Sequence, residues 1–285
     1  MPLIEQLQQF ATGNTATPQG AVQFRRAYSP GYSGVATHVL LHGIGSASAS
    51  WLEQLSWVEH TRDLGLHLLA WDAPGYGNSD ALGIQAPRAA DYATRFWAWI
   101  DAAGEGAGAP LTLVGHSLGA LMAASAALQR PARVAHLLLL APAPGYASAS
   151  AQLREQKLSD RLANLARLGP AGMAKNRAAA MLSSNASAAQ RAFVEHVMAG
   201  IHPHGYAQAA RMLANGDLLA DLRQVSCPVT IASGSADTVT PSDACRALAQ
   251  EIGAPYVSLG EVGHSCALEA APEVNRLIGN EKPRS

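Results

Sequence analysis

Short apolar runs recur along the chain, separated by stretches whose apolar residues repeat on a helical period. The runs have strand length, and several are bounded by glycine and proline, which predicts β-strands. The run at 134–140 is almost wholly apolar, as expected for a parallel strand that is covered on both faces. The predicted strands are 21–28, 35–42, 66–71, 111–114, 134–140, 228–232 and 256–259.

Helices are predicted between these strands. In the stretch 48–60, for example, Trp51, Leu55 and Val58 fall on one face. Alternation of strands and helices implies right-handed crossovers, an α/β fold and a doubly wound, mostly parallel sheet, whose sites form beyond the carboxyl ends of the strands. The predicted helices are 48–60, 87–103, 118–129, 243–252 and a last one after Cys266.

The alternation breaks between residues 145 and 216, where the composition is helical and no strand-like run occurs. We therefore expect a helical cap at 145–216, inserted into a core formed by 1–144 and 217–285. A short flexible connection is expected at 104–110, just before the strand that begins at 111.

Composition agrees with one α/β domain that carries an insertion. Of 285 residues, 48% are hydrophobic and 14% charged, and the formal net charge is −1. Such a balance offers no electrostatic argument for nucleic acid or an anionic membrane surface as partner. No apolar stretch approaches the ~20 residues of a membrane span, and the first residues do not read as a signal peptide. We expect a cytoplasmic protein.

No cofactor or metal is predicted. Three cysteines without C-x-x-C spacing, Cys227, Cys245 and Cys266, are expected to be reduced thiols, with Cys227 buried and Cys266 near the site but without chemistry of its own. The pair His202 and His204 lacks accompanying ligands. The glycines at 43–45 and 75–77 lack dinucleotide-binding spacing.

The candidate chemistry centres on Gly-His-Ser-Leu-Gly at 115–119, between a predicted strand and a predicted helix. Serine flanked by glycine at both second neighbours predicts a turn too tight for side chains at 115 and 119, with Ser117 projecting from it. Serine needs a base, and usually an acid that orients the base. Asp237 and His264 follow later strands, so all three side chains are expected at one sheet edge.

Five motifs occur together along the chain: His-Gly-Ile-Gly at 42–45, Asp-Ala-Pro-Gly-Tyr-Gly-Asn-Ser at 72–79, Gly-His-Ser-Leu-Gly at 115–119, Cys-Pro at 227–228 leading to Gly-Ser-Ala-Asp at 234–237, and Gly-His at 263–264. By these motifs the chain resembles the α/β-hydrolase family from about 21 to 278. The resemblance implies that Ser117 is the nucleophile, His264 the general base and then acid, and Asp237 its orienting partner. It also implies an oxyanion hole formed by the amides of Leu118 and Ile44.

Each assignment has a competitor. Asp243 is the nearest alternative to Asp237, but it falls inside the following predicted helix. Asp72 is interpreted as scaffold and kept as an alternative triad acid. His42 and His116 are interpreted as residues that stabilise loops.

The leading hypothesis is a serine hydrolase that cleaves an ester-like bond in a small organic substrate through an acyl-enzyme, of carboxylesterase or lactonase type. Ser117 argues against haloalkane dehalogenases and epoxide hydrolases, which carry aspartate at the elbow. Carbon–carbon hydrolases of aromatic degradation resemble the chain in size and cap, but they typically carry Gly-Gly-Pro-Gly and a tryptophan where this chain has 44–47 and Ser265. A cofactor-free perhydrolase and a non-catalytic binding protein remain open.

The expected cap adds a hypothesis about the substrate. Residues 145–216 hold eight lysines and arginines against three acidic residues, a formal charge of +5. This is either a solvated basic face or a lid in which an arginine pairs with a substrate carboxylate. Methionines 173, 181, 198 and 212 suit a pocket lining.

Overall fold

The computed structural model describes residues 2–104 and 109–280. The strands are β1 (Gly13–Thr15), β2 (Val22–Tyr28), β3 (His38–Leu41), β4 (His67–Trp71), β5 (Leu111–His116), β6 (Val134–Leu140), β7 (Val229–Ser233) and β8 (Tyr256–Ser258). The α-helices are α1 (Leu3–Leu7), α2 (Leu52–His60), α3 (Ala89–Ala102), α4 (Gly119–Gln129), α5 (Ala151–Arg177), α6 (Ala188–Ala199), α7 (Pro203–Asn215), α8 (Leu218–Leu222), α9 (Ser242–Glu251), α10 (Cys266–Glu269) and α11 (Ala271–Asn280). Short 3-10 helices occur at Ser48–Trp51, Pro131–Arg133 and Ala178–Met181.

All eight strands form one sheet in the order β1-β2-β4-β3-β5-β6-β7-β8. From β3 to β8 every pairing is parallel, whereas β1 and β2 add an antiparallel edge. The predicted doubly wound, mostly parallel sheet is therefore confirmed.

The core consists of two apolar layers, one on each face of the sheet. Along β6, Leu137 and Leu139 pack with residues of α3 and α4, while Leu138 and Leu140 pack with residues of α2 and α11. Since successive side chains of a strand point to opposite faces, an unbroken leucine run supplies both layers at once.

Several boundaries differ from the sequence-based expectation. The predicted helix 48–60 begins as a 3-10 turn, the strand predicted at 35–42 shrinks to β3, and the last helix is divided into α10 and α11. The polar lead contains α1 and β1, which were not predicted. Only Leu7 of α1 is buried, and β1 is a partly exposed edge strand, so neither carries an apolar pattern. The connection predicted at 104–110 includes 105–108, which lie outside the described residues.

The segment between β6 and β7 is helical, as its composition predicted. It holds α5, α6, α7 and a 3-10 turn, and α5 is kinked at Gly169, where φ is 63°, just before Pro170. The division into a core and a cap domain stays a prediction. Across 2–104 and 109–280, no helix has the length and apolar character of a membrane span.

All three cysteines are free thiols. Cys245 and Cys266 are buried, but Cys227 is only half-buried, contrary to expectation. Cys227 lies in the approach to β7, where exposed Ser226 and Pro228 leave one side open.

Candidate active site

Ser117 lies on the predicted tight turn between β5 and α4. Its φ is 53°, a left-handed value that a non-glycine residue adopts at a strain of about 1–3 kcal/mol. A Cβ at position 119 would lie 2.1 Å from the Leu41 carbonyl oxygen, and one at 115 would lie 2.7 Å from the Gly119 oxygen. The sequence pattern is therefore confirmed as a steric requirement, because both positions admit only glycine.

Asp237 and His264 meet beyond the ends of β7 and β8. His264 Nδ1 donates to Asp237 Oδ2 at 2.8 Å, while Asp237 Oδ1 accepts the amides of Val239 at 2.7 Å and Thr240 at 3.0 Å. Burial acts to raise the pKa of Asp237, but the hydrogen bond and charge of His264 and the two amides outweigh it, so the pKa lies below its ordinary value. The carboxylate is thus held ionised against the imidazole.

Ser117 and His264 line one cavity. With Nδ1 engaged by Asp237, Nε2 is the ring nitrogen left for proton transfer, and it forms no hydrogen bond to another described residue. In free enzymes such a contact is often long and tightens only around substrate. The arrangement thus brings the three predicted side chains to one edge of the sheet.

The amides of Ile44 and Leu118 are unengaged. Neither donates a hydrogen bond to any residue that the structure describes. The loop that carries Ile44 lies against the serine, since a Cβ on Gly43 would lie 2.9 Å from Ser117 Cβ. Two amides without protein acceptors beside a serine are available to a ligand oxygen.

Asp72 and His42 belong to the scaffold, as interpreted from the sequence. Asp72 accepts the Ser48 amide at 2.7 Å and the Ser48 hydroxyl at 3.0 Å. His42 Nδ1 donates to the Gly43 carbonyl at 2.8 Å, and its Nε2 accepts the Ala73 amide at 3.0 Å. Burial lowers the pKa of His42, which agrees with a neutral ring that donates at one nitrogen and accepts at the other.

Two further residues support the His264 loop and Asp237: His116, which the sequence indicated as a residue that stabilises a loop, and Thr240, which it did not indicate. His116 Nε2 donates to the His264 carbonyl at 2.8 Å, and burial, followed by the charge of His264, lowers the pKa of His116 to about 3. The Thr240 hydroxyl donates to Asp237 Oδ2 at 2.8 Å. An Asp-x-x-Thr spacing before a helix was the available signal for Thr240.

Glu269 joins the His264 loop to the helical segment. Its carboxylate accepts the Gly263 amide at 2.9 Å, the Ser183 amide at 3.0 Å and the Ser183 hydroxyl. Nearby, the Ser265 amide donates to the Met181 carbonyl at 2.7 Å. We call these contacts the Glu269 clamp. No sequence motif signalled the contact between the two segments, because Ser183 lies 86 positions before Glu269.

The cavity above Ser117 has a volume of about 240 Å³. Residues 145–216 supply much of its apolar wall, including three of the four methionines that were expected there. Met212 is the exception, because it is fully buried in the core. Arg161 and Arg177 line the same cavity. From this segment the wall takes Met173, Met181, Met198, Phe193, Val194 and Val197. No group of potential metal ligands occurs in the described part of the chain.

Fold and sequence comparison together define a class of protein, an enzyme of the α/β-hydrolase fold. The chain belongs to the family described as "Serine aminopeptidase, S33", which matches residues 34–264.

Two curated relatives carry almost the same name. A 2-hydroxy-6-oxononadienedioate/2-hydroxy-6-oxononatrienedioate hydrolase of Pseudomonas putida is 26% identical over 91% of this chain and 92% of its own length. The corresponding hydrolase 1 of Dechloromonas aromatica is 29% identical over 45% of this chain, and the match spans only 43% of that relative. Among solved structures, an enol-lactonase from Burkholderia xenovorans superposes with a TM-score of 0.79 at 18% identity, over 94% of this chain and 99% of that one. At this low identity, the similarity to the enol-lactonase structure shows a shared fold and nothing more.

Proposed function

We propose that the protein is a serine hydrolase that cleaves an ester-like bond in a small organic substrate through an acyl-enzyme, of carboxylesterase or lactonase type. The observation that carries this proposal is the cavity onto which Ser117 and His264 both open, with His264 Nδ1 bonded to buried Asp237. A small, largely apolar cavity favours a compact acyl group.

In the proposed reaction Ser117 Oγ attacks the substrate carbonyl carbon as His264 Nε2 takes its proton. Asp237 keeps Nδ1 protonated and stabilises the imidazolium that forms. The Ile44 and Leu118 amides donate to the developing oxyanion, each contributing about 3 kcal/mol where such a donor has been removed in another enzyme. His264 then protonates the leaving alcohol. Water attacks the acyl-enzyme by the same route and releases the acid.

We also propose that 145–216 acts as a cap over a core formed by 1–144 and 217–285. The support is that its side chains line the cavity that Ser117 also lines. The proposal needs no cofactor. We place the enzyme in the cytoplasm, which its three free cysteines support.

Carbon–carbon bond cleavage is the second candidate. It is favoured by the name of the Pseudomonas putida relative, whose match covers 92% of its length. This chain departs from that group of enzymes at Ile44-Gly45-Ser46-Ala47 and at Ser265, as the sequence indicated. The enol-lactonase, whose fold is shared, acts by its name on a lactone, which is a cyclic ester.

The test combines labelling with a substrate panel. A fluorophosphonate probe should label wild type at Ser117 and leave Ser117→Ala unlabelled. Short-chain aryl esters and lactones should be hydrolysed, and vinylogous diketones should not. Turnover of the diketones alone would assign carbon–carbon cleavage. Peracid formation with hydrogen peroxide would indicate a perhydrolase, and labelling without any turnover would favour a binding protein.

A further inference from the structure

Two arginines face a cavity that is otherwise mostly apolar. Arg161 and Arg177 both line it and both are half-buried. No acidic side chain of the described residues lines the same cavity. Two like charges in partly desolvated surroundings oppose folding unless an anion joins them, because burial weakens their hydration.

The kink in α5 brings the two arginines to the same cavity. In a straight helix, sixteen residues would separate their Cα atoms by about 24 Å. At Gly169, however, φ is 63° and ψ is 176°, and Pro170 lacks the amide that would continue the helix. Tyr206 lines the same cavity as both arginines. Burial raises the pKa of its phenol, and the charges of Arg177 and Arg161 act against that rise.

The two guanidinium groups differ in how they are held. Arg161 donates to the Lys157 carbonyl at 3.0 Å and to the Tyr146 hydroxyl at 3.3 Å, and its guanidinium lies 5.3 Å from the centre of the Tyr146 ring. Arg177 forms no ion pair or hydrogen bond through its side chain with any residue in the described ranges. Arg161 is therefore preoriented, while Arg177 retains its full donor capacity.

We propose that Arg161 and Arg177 form a carboxylate subsite, so that the substrate is an ester carrying a free carboxylate remote from the scissile bond. This rests on the proposed serine hydrolase function and names the substrate class for that site. A planar carboxylate matches the fork of a guanidinium and accepts two parallel hydrogen bonds from Arg177. The Ser117 end of the cavity holds the ester, and the cap holds the charge.

The first experiment compares two esters of equal shape. The 4-nitrophenyl half-ester of adipic acid should show a kcat/KM about ten- to hundredfold above that of 4-nitrophenyl adipamate, in which an uncharged amide of the same size replaces the carboxylate. Arg177→Ala should abolish this preference mainly through KM. Arg177→Lys should restore only part of it, because lysine keeps the charge without the fork.

Lys175→Ala is the matched control. Lys175 is exposed on the same turn of α5 and does not line the cavity. Its removal changes the charge of the helix equally, so it should leave the preference intact. An equal loss in both variants would overturn the subsite, since it would mean general attraction of anions by the basic segment.

A second readout does not depend on turnover. Calorimetry should detect binding of monomethyl adipate to Ser117→Ala at low salt, and at least tenfold weaker binding once Arg177→Ala is added. Methyl adipamate, in which an amide replaces the carboxylate, should bind Ser117→Ala no more tightly than monomethyl adipate binds the double variant. Carboxylate binding in a protein that hydrolyses no ester would uphold the subsite and refute the proposed hydrolysis. Ester hydrolysis with equal binding of acid and amide would refute the subsite alone.

Discussion

The carboxyl-end edge of the sheet and the helical segment 145–216 both line the cavity, but their polar side chains differ in how far they are hydrogen-bonded. At the edge, buried polar side chains are matched with partners: Asp237 accepts four hydrogen bonds, and His42 uses both ring nitrogens. In the helical segment the wall is mostly methionine, valine and phenylalanine, and Arg177 has no partner in the described structure. The groups that we assign to the reaction are held by several hydrogen bonds, whereas those that we assign to substrate binding keep unused bonding capacity.

The largest effect on activity is expected from removal of the Ser117 hydroxyl. Ser117→Ala should lower kcat/KM at least about a thousandfold with an unchanged melting temperature, because the hydroxyl is assigned to the reaction and not to the turn. His264→Ala should behave alike. Ser235→Ala, an exposed serine on the Asp237 loop, is the control and should retain activity. Retention of more than about a thousandth of wild-type turnover by Ser117→Ala would refute its assigned role.

Two aspartates at the same sheet edge should separate chemistry from scaffold. Asp237→Asn should lower kcat about 10²- to 10⁴-fold, because it disturbs the tautomer of His264. Asp72→Asn should act mainly on stability, lowering the free energy of unfolding by about 1–3 kcal/mol, because it weakens the bonds to Ser48. Kinetics and urea melts on both variants give the comparison. The reverse pattern would make Asp72 the acid.

The Glu269 clamp connects the His264 loop with the helical segment, so its loss should change both the activity and the stability of the protein. Glu269→Ala should lower kcat about ten- to hundredfold through displacement of the His264 loop, with a modest fall in melting temperature. Glu261→Ala removes an exposed acid from the same loop and serves as control. A lower melting temperature with unchanged kcat would reduce the clamp to a structural contact.

The smallest effect is expected at the amino-terminal end of β4, where His67 is the first residue of the strand and lies away from the cavity. Burial, then the charge of Arg26, lowers the pKa of His67 from 6.5 to about 4. The unfolded chain therefore protonates His67 more readily than the folded protein does. The contribution of neutral His67 to the free energy of unfolding is fully present above pH 6.5 and is lost as the pH falls toward 4.

His67→Phe keeps a ring against Tyr28, on which His67 stacks at 4.0 Å, but removes the proton site. Urea melts at pH 7.5, 5.5 and 4.5 should show less acid destabilisation in the variant than in wild type, at equal kcat near neutrality. Parallel loss in both proteins would assign the acid sensitivity to other groups, such as His116 or Asp237.

Local geometry explains which features the sequence predicted. The spacing of Gly115 and Gly119 is sufficient for the turn at Ser117, because the close contact at Gly119 is with Leu41 of β3, the strand that pairs with β5. Asp237 was preferred over Asp243 because the latter falls in a helix, and α9 indeed begins at Ser242. Motifs at the ends of parallel strands converge by topology alone.

Contacts between distant segments escaped the sequence. Glu269 and Ser183 look like ordinary polar residues until the fold sets them side by side. Composition predicted a basic helical segment, yet it did not distinguish the arginines that face the cavity from those that face water. The distinction depends on the backbone at Gly169. The expectation that Met212 lines the cavity was wrong, because composition does not reveal which face of α7 a residue occupies.

The helical segment leaves the sheet and returns to it at one point. Gly145 and Asp217 pair as a single antiparallel bridge, and the Leu218 amide donates to the Pro144 carbonyl at 2.9 Å. Meanwhile β6 and β7 remain direct neighbours beneath it. The two ends of the segment therefore adjoin, and we expect that a segment of another length and lining could replace it, and change the cavity wall, without altering the order of the strands.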